Sequence, residues 1–179
     1  MQHYGAPTRL LDWTESVLIA AYFAVSAGHS GKGAAVWMLD PYVLNALNED
    51  FGDDAVLSPG FVANRPKEKQ KINRWLPYVG DTTHRSIPRS PVAVYPAYLA
   101  RRIESQKSSF TIHGSEPDGL TEFWEKGGPL LRIVIPAGKV RGFRSNLLDM
   151  GIDTASIYPD LEGLGRQLRE RWGSKKTER

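Results

Sequence analysis

Apolar residues fall along this chain in short runs, divided by glycine, proline and charge. The longest run is Val17 to Ala27. Within it Leu18, Ile19, Ala21, Tyr22, Ala24 and Val25 leave almost no polar face, which predicts a helix buried on most sides. Thr14 is placed to cap that helix, because its hydroxyl can accept from a free amide of the first turn, and Glu15 lies near the positive end of the helix dipole. Gly28 is the expected stop. After a Gly31-Lys32-Gly33 turn, Ala34 to Leu39 reads as a strand ended by Asp40-Pro41, and Tyr42 to Asn48 as a short helix.

From Gly52 to Arg89 the periodicity breaks down, and only Lys67 to Leu76 suggests a helix; a long irregular stretch of this kind often serves as a lid or binding loop. Val92 to Tyr95 reads as a strand stopped by Pro96, Tyr98 to Gln106 as a helical turn, and Phe110 to His113 as another strand. A short helix is expected at Leu120 to Lys126. Leu130 to Ile135 gives the strongest strand signal and Pro136 closes it. Asn146 to Met150 should end a helix at Gly151, and a last helix should begin at Pro159, with Leu161, Leu164 and Leu168 at helical spacing. Short strands and helices without strict alternation predict an α+β fold with a small mixed or antiparallel sheet flanked by helices. The expected organisation is one domain over residues 1–165 and a basic tail over 166–179.

Composition narrows the function classes. The 179 residues are 41% hydrophobic and 24% charged, ordinary for a globular protein. There is no cysteine, which excludes disulfides, thiolate catalysis and thiolate-bound zinc and fits a reducing, cytoplasmic location. No apolar run is long enough for a membrane span, so no membrane partner is expected. The net charge is only +3, but residues 65–107 hold ten Lys/Arg against three Asp/Glu, a stretch suited to a nucleic-acid or protein target or to a solvated loop.

Candidate chemistry gathers in two places. The opening run Gln2 to Thr14 holds His3, which can donate or accept a proton near neutral pH, Arg9, whose planar fork suits a phosphate, and Asp12, its nearest counter-charge; Tyr4, Thr8 and Trp13 add a hydroxyl pair and stacking surface. The bland alternative is that Arg9 and Asp12 pair to lock a turn and Trp13 is core. The second place runs from Arg101 to Gly114, where Arg101, Arg102, Gln106 and His113 bring donors to the end of a strand, the paired arginines suiting an anion or else standing exposed and idle. The four histidines lack His-x-x-x-His spacing, and neither a phosphate-cradling glycine loop nor a Gly-x-Ser-x-Gly elbow occurs, so no metal or certain cofactor is expected.

These blocks, in order, resemble the FRG domain family of bacteria and phages. The likeness is carried by Gln2 to Thr14, Ala35 to Leu39, Arg102 to Gln106 with Phe110 to Gly114, Ile133 to Pro136, and Gly151-Ile152 with Tyr158 to Leu164. The family is named for a Phe-Arg-Gly triplet upstream of the first block, and this chain has none. It is therefore expected to be a truncated domain, a late translation start or a split gene product, inactive alone if the missing arginine binds ligand. The resemblance implies a part in bacterial or phage defence or toxin-like systems. The motif order is also similar to that of ADP-ribosyltransferases, with Tyr22-Phe23-Ala24 supplying a Phe-Ala step and Glu104 or Gln106 near the third motif, while the Ser-Thr-Ser of those enzymes is replaced by Leu-Asp-Trp-Thr.

Three functions follow. As an enzyme consuming NAD or a related nucleotide, the chain would use Arg9 and Arg102 on phosphates, His3 on a ribose hydroxyl or the amide, Trp13 or Tyr4 on a base, and Glu104 or Gln106 at the sugar as charge develops there. As a non-catalytic module, it would bind a nucleotide, nucleic acid or protein. As a structural motif, Thr8, Arg9 and Asp12 would hold the turn before the first helix.

Overall fold

The Asp40-Pro41 pair shows how local chemistry sets an element. In the computed structural model, which describes residues 8–26, 31–52, 54–58, 66–75, 87–97, 101–116 and 118–173, the Asp40 carboxylate accepts from the amides of Tyr42 and Val43, both at 3.0 Å. Pro41, which has no amide to satisfy, takes the first helical position. The proline that ends the strand thus starts the helix Pro41–Leu47.

The elements run in the order β1 (Leu10–Thr14), α1 (Val17–Ser26), β2 (Ala34–Leu39), α2 (Pro41–Leu47), α3 (Pro66–Ile72), β3 (Val92–Val94), α4 (Arg101–Ser105), β4 (Ser108–Ile112), α5 (Gly119–Glu125), β5 (Leu130–Ile135), α6 (Val140–Asp149), α7 (Thr154–Ile157) and α8 (Leu161–Trp172). The fold is α+β. One sheet has the order β1-β4-β3 and the other pairs β2 with β5. β3 and β4 are antiparallel, with Val92 opposite Ile112 and Val94 opposite Phe110. β1 runs antiparallel to β4: His113 N donates to Arg9 O at 2.7 Å at one end of the ladder, and Glu15 N to Lys107 O at 3.0 Å at the other. Among the described residues no helix is long and apolar enough to cross a membrane.

The chain packs as two units. The first comprises residues 1–13, 37–97 and 109–131. Its core is Phe51, Leu57, Ile72, Trp75, Val92 and Ile112, with the rings of Phe51 and Trp75 edge to face at 6.1 Å. Two fully buried asparagines on α2 and its cap organise the loops around this core. The Asn45 side-chain amide donates to Ala55 O (2.8 Å) and Ala93 O (3.0 Å) and its oxygen accepts from Ala93 N (2.8 Å). Asn48 donates to Pro91 O at 2.8 Å and accepts from the amides of Asp50 and Phe51. Each asparagine substitutes for a missing stretch of ladder, so main-chain groups that no strand pairs are still satisfied. Gly114 is a packing requirement of the same unit, because a β-carbon there would lie 2.0 Å from Pro88 O.

The second unit comprises residues 14–36, 98–108 and 132–179. Its core is Ile19, Ala21, Tyr22, Val25, Val36, Ile135, Leu147 and Ile157. The Tyr22 hydroxyl, within 2.8 Å of Thr154 Oγ1, satisfies the polar end of an otherwise buried ring. Two expectations change here. α1 is half-covered rather than buried on most sides, since Val17, Leu18 and Phe23 are exposed. The residue at its N-cap position is Ser16, whose Oγ accepts from Ile19 N at 3.5 Å, while Thr14 ends β1, its hydroxyl donating to Gln106 O at 2.7 Å and accepting from Ser16 N at 3.1 Å ahead of the first turn. Gly28 lies outside the described residues. Gly151, at φ +79, terminates α6 as expected, in the left-handed region that a side chain resists.

Replacing Asn45 by leucine keeps the volume but orphans three main-chain groups. Asn45→Leu should destabilise the protein by about 3 kcal/mol or more, read as a lower urea midpoint at unchanged slope.

Candidate functional site

The opening motif enters the described residues at Thr8, whose exposed hydroxyl donates to Leu10 O at 3.5 Å. Tyr4 and His3 lie outside them. Arg9 follows at the start of β1. Its guanidinium is partly buried and donates to two main-chain carbonyls, that of Trp75 and that of His113, the latter at 3.4 Å. Because Arg9 O also accepts from His113 N, the arginine is held to the end of β4 through both its main chain and its side chain. Asp12 is an exposed residue of β1. Trp13 is partly buried, and its indole N–H donates to Thr111 Oγ1 on β4 at 3.1 Å. Within the first unit, then, Arg9, Trp13 and His113 converge on the β1–β4 pairing, because antiparallel register sets residue 9 against residue 113 and residue 13 beside residue 111.

The remaining candidates belong to the second unit. Gln106 ends the turn after α4; its side-chain amide donates to Ile157 O at 3.3 Å, and Ser105 Oγ donates to the same carbonyl at 3.2 Å. Glu104 is exposed, and its carbonyl accepts from Lys107 N at 3.0 Å. Lys107 adopts φ +46, a strained value for a residue with a side chain, in the turn that leads into β4.

Arg102 takes part in a charged stack that sequence reading did not foresee. Its guanidinium lies 4.9 Å from the centre of the Tyr158 ring and donates to Asp160 Oδ2 at 3.0 Å. Arg166 lies over the same ring at 5.4 Å. Asp160 also caps α8, accepting from Gly163 N at 2.8 Å, and Gly163 has no room for a β-carbon, which would lie 2.0 Å from Tyr158 O. The Gly163 amide, followed by the nearby Arg102 charge, holds the Asp160 carboxyl below its ordinary value of 3.8. Burial pushes the Tyr158 phenol up. The run Tyr158 to Gly163 is thus a helix-capping device whose glycine, aspartate and tyrosine require one another. The signal for it was available: an aspartate three residues before a glycine, after Tyr-Pro, is an N-cap sequence.

A depressed folded-state value means that the cap contributes stability above the unfolded value and loses it as pH falls through the folded one. Wild-type protein should therefore lose stability as pH drops from near 3.8 downward. An Asp160→Asn variant, which cannot titrate there, should show a flatter profile in acid unfolding followed by circular dichroism; identical profiles would refute the assignment.

Among the described residues no three His, Asp or Glu side chains group as metal ligands. No curated protein and no solved structure matches the chain. The family model of the FRG domain matches residues 1–33, the stretch that holds the opening motif and α1.

Proposed function

We propose that this chain binds a nucleotide, with NAD or a related dinucleotide as the ligand class, and that Arg9 is the group that meets its phosphates. One observation carries the reading: the Arg9 guanidinium is partly buried and held by two carbonyls, with no carboxylate beside it among the described residues. Carbonyls orient a guanidinium without cancelling its charge, and with Nη1 and Nη2 each giving one N–H to a carbonyl, the remaining N–H groups and the positive charge favour an anion such as phosphate. Thr8, Asp12, Trp13 and His113 belong to the same unit and are the proposed neighbours of that anion, with His3 and Tyr4 of the same motif proposed beside them from the sequence. Glu104 and Gln106, the residues expected to act at the sugar, belong to the other unit, as does Arg102, which already pairs with Asp160. The proposal for the first unit by itself is one of binding. A role in a bacterial or phage conflict system is the setting that the FRG likeness suggests for it.

A second reading rests on the same two hydrogen bonds and on that of Trp13. Arg9 ties the start of β1 to Trp75 and His113, and Trp13 ties it to Thr111, which is what a purely structural motif would do.

Titration calorimetry with NAD and ADP-ribose separates the two when thermal unfolding is followed alongside. The binding reading expects Arg9→Ala to weaken affinity at least about tenfold, roughly 1.4 kcal/mol, and Arg9→Lys to fall between. A folded wild-type chain that binds neither ligand would overturn it. An Arg9→Ala variant with undiminished affinity and a lowered unfolding temperature would assign Arg9 to the structural role.

A further inference from the structure

Helix α8 sits with its polar side inward. Gly163 is buried against Tyr158, Gln167 Nε2 donates to Asp153 Oδ2 at 2.5 Å, and Arg166 stacks over Tyr158. At about 100° per residue, Leu161, Leu164, Leu168 and Trp172 share a single stripe roughly 80° wide on the other side. Their side chains are 87%, 47%, 50% and 64% exposed. A surface helix normally turns such a stripe toward its own core.

We propose that this stripe is the contact by which two copies of the chain associate, with their α8 helices antiparallel about a twofold axis beside Arg166. The order of residues on the two edges of the stripe fits such a pairing. Glu162 and Arg169 lie on one edge of the stripe, and Asp160 and Arg171 on the other. A twofold axis perpendicular to the helix keeps each edge on its own side and reverses its direction. Glu162, which is bridged to Arg166 of its own chain at 2.5 Å but half exposed, then lies beside Arg169 of the second copy, and Asp160, which Arg102 holds at 3.0 Å, lies beside Arg171 of the second copy. The same rotation sets Leu164 against Leu168 of the second copy and Leu161 against Trp172 of the second copy. The four pairings centre within one residue of one another along the helix, which is the near self-complementarity that an isologous interface requires. Reversal also opposes the two helix dipoles favourably.

Each edge carries one carboxylate and one guanidinium, so the face matches its own reverse better than it matches a uniformly anionic bilayer. Four side chains per copy are fewer than a stable interface uses, and the association is therefore weak and concentration-dependent.

Sedimentation velocity on the full chain over a micromolar to millimolar concentration series tests this. Wild type should move from monomer toward twice the chain mass. Leu168→Gln should remain monomeric with an unchanged circular dichroism spectrum. Arg169→Glu should lose association, and the Glu162→Arg, Arg169→Glu double swap should regain it, since the edge pairs re-form with exchanged signs. A chain monomeric at every concentration overturns the proposal, as does association that survives Leu168→Gln. A double swap that fails to recover overturns the antiparallel register. A monomer that instead sediments with vesicles of anionic phospholipid through the same leucines assigns the face to a membrane surface and also overturns it.

Discussion

The antiparallel pairing of β1 with β4 is the contact on which the candidate site depends. It joins two segments about a hundred residues apart in the chain, and its register decides every neighbour that follows. Arg9 meets His113 because their main chains bond, and Trp13, opposite residue 109 in that register, reaches diagonally to Thr111 with its indole N–H. A slip of one residue would turn each of these side chains to the opposite face of the sheet. Gly114 defends the same register from outside the ladder, since its bare Cα lets the segment press against Pro88 and Arg89, where Ser115 N and Glu116 N donate to their carbonyls.

Both units solve a common problem, that of satisfying main-chain groups where the sheets are short. The first unit uses buried asparagine amides; the second uses hydroxyls and a glutamine. Thr14 donates to Gln106 O, and Ser105 and Gln106 converge on Ile157 O. An unpaired buried carbonyl costs more than a typical hydrogen bond returns, so short strands need such side chains wherever the ladder stops. This explains why polar residues are concentrated in the very blocks that resemble the FRG family. Part of that polarity therefore belongs to the fold, and Arg9, whose guanidinium meets two carbonyls among the described residues, shares in it.

Much of the element order was legible along the chain. Leu130–Ile135 is a strand over the span its continuous apolar run implied, and α2 and α5 lie within a residue or two of their expected bounds. The ends moved wherever a side chain met a distant partner. Thr14 has the chemistry of a cap and accepts from Ser16 N just ahead of α1, yet it belongs to β1 and gives its proton to the remote carbonyl of Gln106. Lys67 to Leu76 shortened to Pro66–Ile72 as Asn73 to Trp75 turned to place Trp75 in the core and Arg74 on Asp50. The Arg102–Tyr158–Arg166 stack was hidden for the same reason, since its members lie far apart in sequence and meet only after α7 and α8 are placed.

Local sequence was sufficient for whatever depends on neighbours within a few residues: the apolar runs, the Asp40-Pro41 helix start, the Gly151 stop and the polar density of the opening motif. Those features rest on steric preference and short-range hydrogen bonding, which act before the chain is folded. Tertiary structure alone decided the use of each polar group. Arg9, Trp13, Gln106 and Arg102 carry the donors that their residue types imply, but which acceptor each one finds is a matter of register and packing between remote segments. The inverted setting of α8 is the clearest instance. Its spacing announces an amphipathic helix, and only the close fit of Gly163 on Tyr158 determines which of its faces is turned outward.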